Sequence, residues 1–102
     1  MARFTLKNLS EDRLEAVAAR FRCLGEVSRL KIIQELQNGE KNVNELVELT
    51  GLSQPNVSRH LSILINCGLI GRRKDGLNVI YKIRDKSLAE TCSIVCRSVC
   101  KE

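Results

Sequence analysis

Leu52-Ser53-Gln54-Pro55-Asn56-Val57-Ser58-Arg59-His60-Leu61 is the stretch whose reading decides the fold. Ser53 is a preferred helix cap, and Pro55 falls inside the first turn, where its missing N–H costs nothing. Val57, Leu61, Leu64 and Ile65 recur at helical spacing and predict a buried stripe, which Gly68 ends. Ser53, Gln54, Asn56, Ser58, Arg59 and His60 occupy the first two turns, and side chains of this length reach base edges and phosphates. Just upstream, Asn42-Val43-Asn44-Glu45 opens a short helix in the manner of a capping box, with Leu46, Val47 and Leu49 on one side and Gly51 at its end. A short helix, a turn and a polar-fronted second helix make a helix-turn-helix, the second helix being the candidate for a DNA major groove.

Downstream, Asp75-Gly76 lies between two β-prone runs, 69–74 and 77–84, and signals a hairpin. Arg72, Arg73 and Lys74 sit next to its tip, so the hairpin reads as a wing able to touch a DNA backbone. Upstream, Leu14, Val17, Ala18 and Phe21 give residues 11–23 an amphipathic helical period behind a Ser10 cap. A second helix runs from Ser28 to Gln37 through Leu30, Ile33 and Leu36, and Asn38-Gly39 stops it. After Asp85, the spacing of Leu88, Cys92, Val95 and Val99 returns to helical. The expected architecture is a mainly α winged helix-turn-helix in the order α-α-α-α-β-β-α, a single domain over 1–102. Its DNA-reading part covers about 42–84, and its dimerisation helices about 10–23 and 86–101. The stripe on the final helix needs a cover, which a second copy would supply.

The charge pattern supports the same reading. The 102 residues carry 17 basic and 12 acidic side chains, a net +5. Residues 1–52 and 87–102 each balance to zero. Residues 53–86 hold Arg59, Arg72, Arg73, Lys74, Lys82, Arg84 and Lys86 against Asp75 and Asp85, seven against two, so the whole excess lies in one third of the chain. Such a segregated field gains affinity for a polyanion by releasing counterions from phosphate. With 43% hydrophobic and 28% charged residues the chain is of globular composition. No run of 18 apolar residues exists for a membrane span, and Met1 to Thr5 shows no apolar signal core, so the expected location is the cytoplasm. No Cys-x-x-Cys, no nucleophile beside a base and no Gly-rich phosphate loop occurs, which argues against an enzyme.

Leu24-Gly25-Glu26-Val27-Ser28-Arg29-Leu30-Lys31-Ile32-Ile33, the Ser53 to Leu61 run, Gly68-Leu69-Ile70 and the Arg-rich wing together resemble the ArsR/SmtB family of bacterial winged-helix repressors. The resemblance covers roughly residues 10–100. One departure is Glu26-Val27-Ser28, where the family often has an acid followed by Pro. The resemblance implies a homodimer paired through its first and last helices and an operator of two-fold symmetry in double-stranded DNA. It also implies an inducer, usually a metal or metalloid, that releases the protein from that operator.

Five cysteines are many for a reducing compartment, where metal-binding or redox roles outweigh structural disulfides. Cys92, Cys96 and Cys100 recur at i, i+4, i+8 and share one side of the last helix. Two thiolates on one ion lie within roughly 4.6 Å of each other, whereas eight residues of helix span about 12 Å. Adjacent pairs can therefore chelate, while Cys92 and Cys100 cannot both do so on an intact helix. A third thiolate would come from local unwinding or from Cys23. Cys67, beside Gly68, reads as a small apolar residue under the wing. Only His60 is available as an imidazole, so an all-sulfur site selects soft ions. Among the family's designs, the position on the last helix resembles members that sense trivalent arsenic or antimony. The absence of a His there speaks against the zinc, cobalt or nickel design, and the helix from Val43 to Leu49 lacks the Cys-x-Cys of another subgroup.

The expected function is thus a repressor that needs no cofactor to bind DNA and is released by As(III) or Sb(III), or another soft ion such as Cd(II). The expected ligands are Cys92, Cys96 and Cys100, with Cys23 as a further candidate. Two readings compete with it: a redox or reactive-sulfur sensor of the same fold, with Cys23 bridging to a C-terminal cysteine, and a repressor with no inducer.

Overall fold

Each of the five α-helices begins at a side-chain cap. In the computed structural model, which describes residues 5–101, a single 3-10 turn at Leu6–Asn8 precedes α1 (Glu11–Leu24), α2 (Val27–Leu36), α3 (Val43–Thr50), α4 (Gln54–Asn66), β1 (Ile70–Asp75), β2 (Asn78–Ile83) and α5 (Lys86–Cys100). Ser10 accepts from the Arg13 N–H, Glu26 from Ser28, Ser53 from Asn56 and Asp85 from Ser87. Asn42 and Glu45 form the complete capping box. These contacts satisfy amide donors that the first turn of a helix leaves orphaned. Of Met1 to Thr5, on which the expectation about a leader rests, Met1 to Phe4 lie outside the described residues. Among the described residues no helix is long and apolar enough to cross a membrane.

The expected order of elements holds, with one shift at the wing. Asp75 pairs with Asn78, so the two-residue connection is Gly76-Leu77 rather than Asp75-Gly76. Gly76 takes the positive φ of 65° that the turn demands. A bridge between Lys41 and Tyr81 adds a third short edge to the hairpin and ties it to the loop before α3.

The core lies between α2, α3, α4 and the base of the wing. Ile32, Leu46, Val57, Leu61, Leu64, Leu69 and Ile70 are fully buried there, each worth about 1.5–3 kcal/mol in apolar burial. The Leu69 carbonyl accepts from both Arg84 and Asp85 N–H, closing the wing beneath α5. α1 and α5 behave differently. On α1 only Cys23 and Leu24 are buried, and α5 buries nothing, although Leu88 and Cys92 rest against the core. Leu14 and Phe21 of the predicted stripe on α1 are exposed, as are Val95 and Val99 on α5. The radius of gyration of 15.0 Å exceeds the about 13 Å typical of this length, because these two helices stand off the core.

Candidate nucleic-acid interface and thiol sites

α3 and α4 are joined by a tight turn. Gly51 takes a left-handed φ of 75°, and Thr50 trims the end of α3 by donating to the Leu46 carbonyl (2.6 Å) and accepting from the Leu52 N–H (3.2 Å). Val57, His60, Leu61 and Leu64 then turn α4 inward. Ser53, Gln54, Asn56, Ser58 and Arg59 are left on the exposed side, where Arg59 donates to the Asn56 side chain at 3.4 Å. Five of the six residues expected to front this helix therefore do so.

His60 does not. It is 3% exposed and belongs to the inward stripe. Its Nδ1 lies 3.2 Å from Arg29 Nη1 and its Nε2 3.2 Å from Glu26 Oε2. Position explains the correction: 57, 60, 61 and 64 follow the i, i+3, i+4, i+7 rule of a buried face, and a polar side chain can occupy that face only if partners meet it. Burial, followed by the Arg59 guanidinium, lowers the pKa of His60. Glu26 is held below the usual carboxylate range first by the Ser28 N–H. Glu26 and Arg29 are the functional candidates that sequence reasoning missed. The available signal was the imidazole at a stripe position, which demanded a buried acceptor or donor from another helix.

On the wing, Arg72, Arg73 and Lys74 are all exposed. Arg73 donates to Glu40 at 2.7 Å and lies 4.0 Å from Asp75, and its hydrogen bond to Glu40 raises its pKa further. Arg72 and Lys74 make no side-chain hydrogen bond or ion pair among the described residues.

The cysteines fall into two groups. Cys23 and Cys67, 44 residues apart with Cα atoms 6.8 Å apart, are joined in a disulfide. This corrects both earlier expectations: Cys67 is no mere apolar filler, and Cys23 is tied to it rather than to a C-terminal cysteine or a metal. The reason is packing: Cys23 Sγ, at the end of α1, lies 3.9 Å from the Ile63 carbonyl in the last turns of α4. On α5, Cys96 and Cys100 are exposed with their Sγ atoms 3.9 Å apart. Their mutual hydrogen bond, and then their charges, push the Cys100 thiol up. Cys92 is half-buried, and burial raises its pKa. All three line a groove of about 840 Å³ between α5 and the α1–α2 corner, whose apolar wall includes Phe21, Leu24, Val27 and Val99. Among the described residues no three His, Cys, Asp or Glu side chains converge on a metal-sized site. One protomer thus brings together two of the three expected thiols.

A capped helix with an outward polar face, a tight turn before it and a basic hairpin after it define a winged helix-turn-helix domain. The family model "Bacterial regulatory protein, arsR family" matches residues 26–71. A probable mercury resistance operon repressor of Streptomyces lividans is 41% identical over 74% of this chain and 61% of its own length. The HTH-type transcriptional regulator NmtR of Mycobacterium tuberculosis is 35% identical over 80% of this chain and 68% of its own. Among solved structures, the homodimeric winged helix-turn-helix DNA-binding domain Mb0332 of Mycobacterium bovis superimposes with a TM-score of 0.80 at 26% identity, over 90% of this chain and 88% of that one. The chain belongs to the arsR family of bacterial regulatory proteins. It spans about three fifths of the Streptomyces relative, and these relatives are regulators, not enzymes.

Proposed function

We propose that this chain is a transcriptional repressor that binds, as a homodimer, an operator of two-fold symmetry in double-stranded DNA. The observation that carries the reading is the outward polar face of α4, beside exposed Arg72 and Lys74 and backed by the buried Val57, His60, Leu61 and Leu64. In this reading Gln54, Asn56, Ser58 and Arg59 meet base edges, and the wing and Ser53 meet phosphate. The bare apolar flanks of α1 and α5 are the surfaces a second copy would cover.

Release is assigned to a soft ion held by the C-terminal thiols. Cys96 and Cys100 fit the first two ligand positions, since their 3.9 Å separation falls within the roughly 4.6 Å allowed to two thiolates on one ion. Cys92, from the same groove, or a thiol of a second copy would supply the third. Trivalent arsenic and antimony come first, with Cd(II) next; the mercury-linked relative adds mercury. Binding would alter α5 at the dimer seam and so favour a spacing of the two recognition helices that no longer matches the operator.

The test is fluorescence anisotropy on a duplex that the protein itself enriches from a random pool. Arg59→Ala is expected to weaken binding by at least about tenfold. Arsenite is expected to release the wild-type protein and to leave a Cys96→Ser/Cys100→Ser variant bound. Unchanged affinity in Arg59→Ala would remove the DNA-reading role of α4; release of the double variant would remove the thiol role.

The Cys23–Cys67 disulfide favours a second reading, redox sensing. In that case oxidation and reduction of this pair would change operator affinity with no metal present, and Cys67→Ser would abolish the change while leaving the arsenite response intact.

A further inference from the structure

His60 lies at a three-way junction. Glu26 caps the N-terminus of α2 through the Ser28 N–H at 2.8 Å. Arg29 caps the C-terminus of α1 by donating to the Cys23 and Arg22 carbonyls at 2.7 and 3.2 Å. His60 touches both side chains, one with each ring nitrogen. Arginine only donates, so Nδ1 is the acceptor and Nε2 carries the proton, donated to the Glu26 carboxylate. The neutral tautomer thus satisfies both Arg29 and Glu26, and protonated Nδ1 would face a guanidinium. Arg59 Nη2 approaches Nε2 at 3.5 Å, a longer contact than either of the other two.

We propose that His60 is a positioning residue for DNA recognition: held by Glu26 and Arg29, it fixes the rotation of α4 about its axis. Neighbouring residues on a helix are separated by about 100°, so clamping the imidazole inward sets the direction in which Arg59 and Asn56 project. Burial of Leu61 and Leu64 holds α4 against the core without a preferred direction; a pair of hydrogen bonds to a different helix adds one. The segment that supplies the clamp is also the wall of the thiol groove, since Leu24, Gly25 and Val27 flank Glu26 and line it. His60 therefore connects the face that reads DNA to the corner that faces α5.

The inference rests on the DNA-binding reading, and the experiment separates the two. Operator affinity, affinity for a scrambled duplex, the salt slope of each and the melting temperature are measured for the wild type and for Glu26→Gln, His60→Ala, the double variant and His60→Asn. Gln keeps an oxygen for the Ser28 N–H but turns an amide N–H toward the ring. Glu26→Gln and His60→Ala should each lower operator affinity about tenfold and leave scrambled-duplex affinity within about twofold, with unchanged salt slopes. The double variant should lose no more than His60→Ala, and His60→Asn, whose carbonyl can accept from Arg29, should recover part of the loss. Additive losses would mean that His60 acts alone, on DNA itself. Equal losses on both duplexes that track the melting temperature would mean a merely structural role, and operator affinity within twofold of wild type would also overturn the proposal. If His60→Ala does not fold, Glu26→Gln and His60→Asn decide it. A wild-type protein that enriches no duplex would end the repressor reading and this inference together.

Discussion

Two groups of residues make the chemistry of this molecule depend on pH, the cluster around His60 and the thiols of α5. His60 is the sole histidine, and its folded pKa is lowered from 6.5 by burial first and by Arg59 next. The unfolded chain therefore binds a proton at a pH where the folded chain does not. Stability is full above 6.5 and falls as pH drops through that value toward the folded one. Glu26 and Asp85, both lowered from 4.5 and 3.8, lose their contribution only below those values. Urea unfolding at pH 7, 6 and 5 should show declining stability in the wild type and a flatter profile in His60→Asn; parallel profiles would mean that the ring is not the group responsible. On α5 the thiols are pushed up, Cys92 by burial and Cys100 by its bond to Cys96. An ion must displace their protons. Cd(II) affinity should accordingly rise at least about tenfold per pH unit between pH 6 and 8, read by competition with a chelator. Affinity independent of pH would place the ion elsewhere.

At the scale of elements, the wing is less uniform than its sequence. Three adjacent cations look equivalent in Arg72-Arg73-Lys74, but alternation along a strand sends the middle one to the opposite face, where Glu40 holds it at 2.7 Å. Each phosphate contact contributes about 0.9 to the salt slope of duplex binding. Replacing Arg72 and Lys74 by Ala should lower that slope by about 2, and replacing Arg73 should lower it by less. The slopes come from affinities measured between 50 and 300 mM salt, and equal effects from all three would show that Glu40 lets go when DNA arrives. The same comparison explains what was legible beforehand. Helix starts are written in local code, so Ser10, Asn42 and Ser53 were readable one by one. Gln54, Asn56, Ser58 and Arg59 were readable because the apolar period around them left one side free. Glu40 lies 33 residues from Arg73 and Glu26 lies 34 from His60; partners so distant leave no local pattern, and only the folded chain brings them together.

The whole molecule shows where a sequence pattern stops being a statement about one chain. Leu14 and Phe21 on α1 and Val95 and Val99 on α5 have helical spacing as regular as that of α4, yet they are exposed. Periodicity reports that a face is apolar, not which surface covers it. The Cys23–Cys67 pair was hidden for a related reason: the two residues end different helices, and only the docking of α1 against α4 makes them neighbours. If a second copy covers α1 and α5, dimerisation and operator binding are one equilibrium, because a monomer presents a single recognition helix and reads half a site. Val95→Asp/Val99→Asp places charge on that seam without touching the core, since both side chains are already exposed in one protomer. The variant should keep its melting profile at low concentration, sediment as a monomer and lose at least about a hundredfold in operator affinity. The wild type should sediment at twice the monomer mass. The loss should shrink as protein concentration rises, because mass action restores the dimer. A loss that stays constant with concentration would locate the defect in α4 or the wing, and a monomeric wild type with full operator affinity would mean that the exposed stripes serve some other surface.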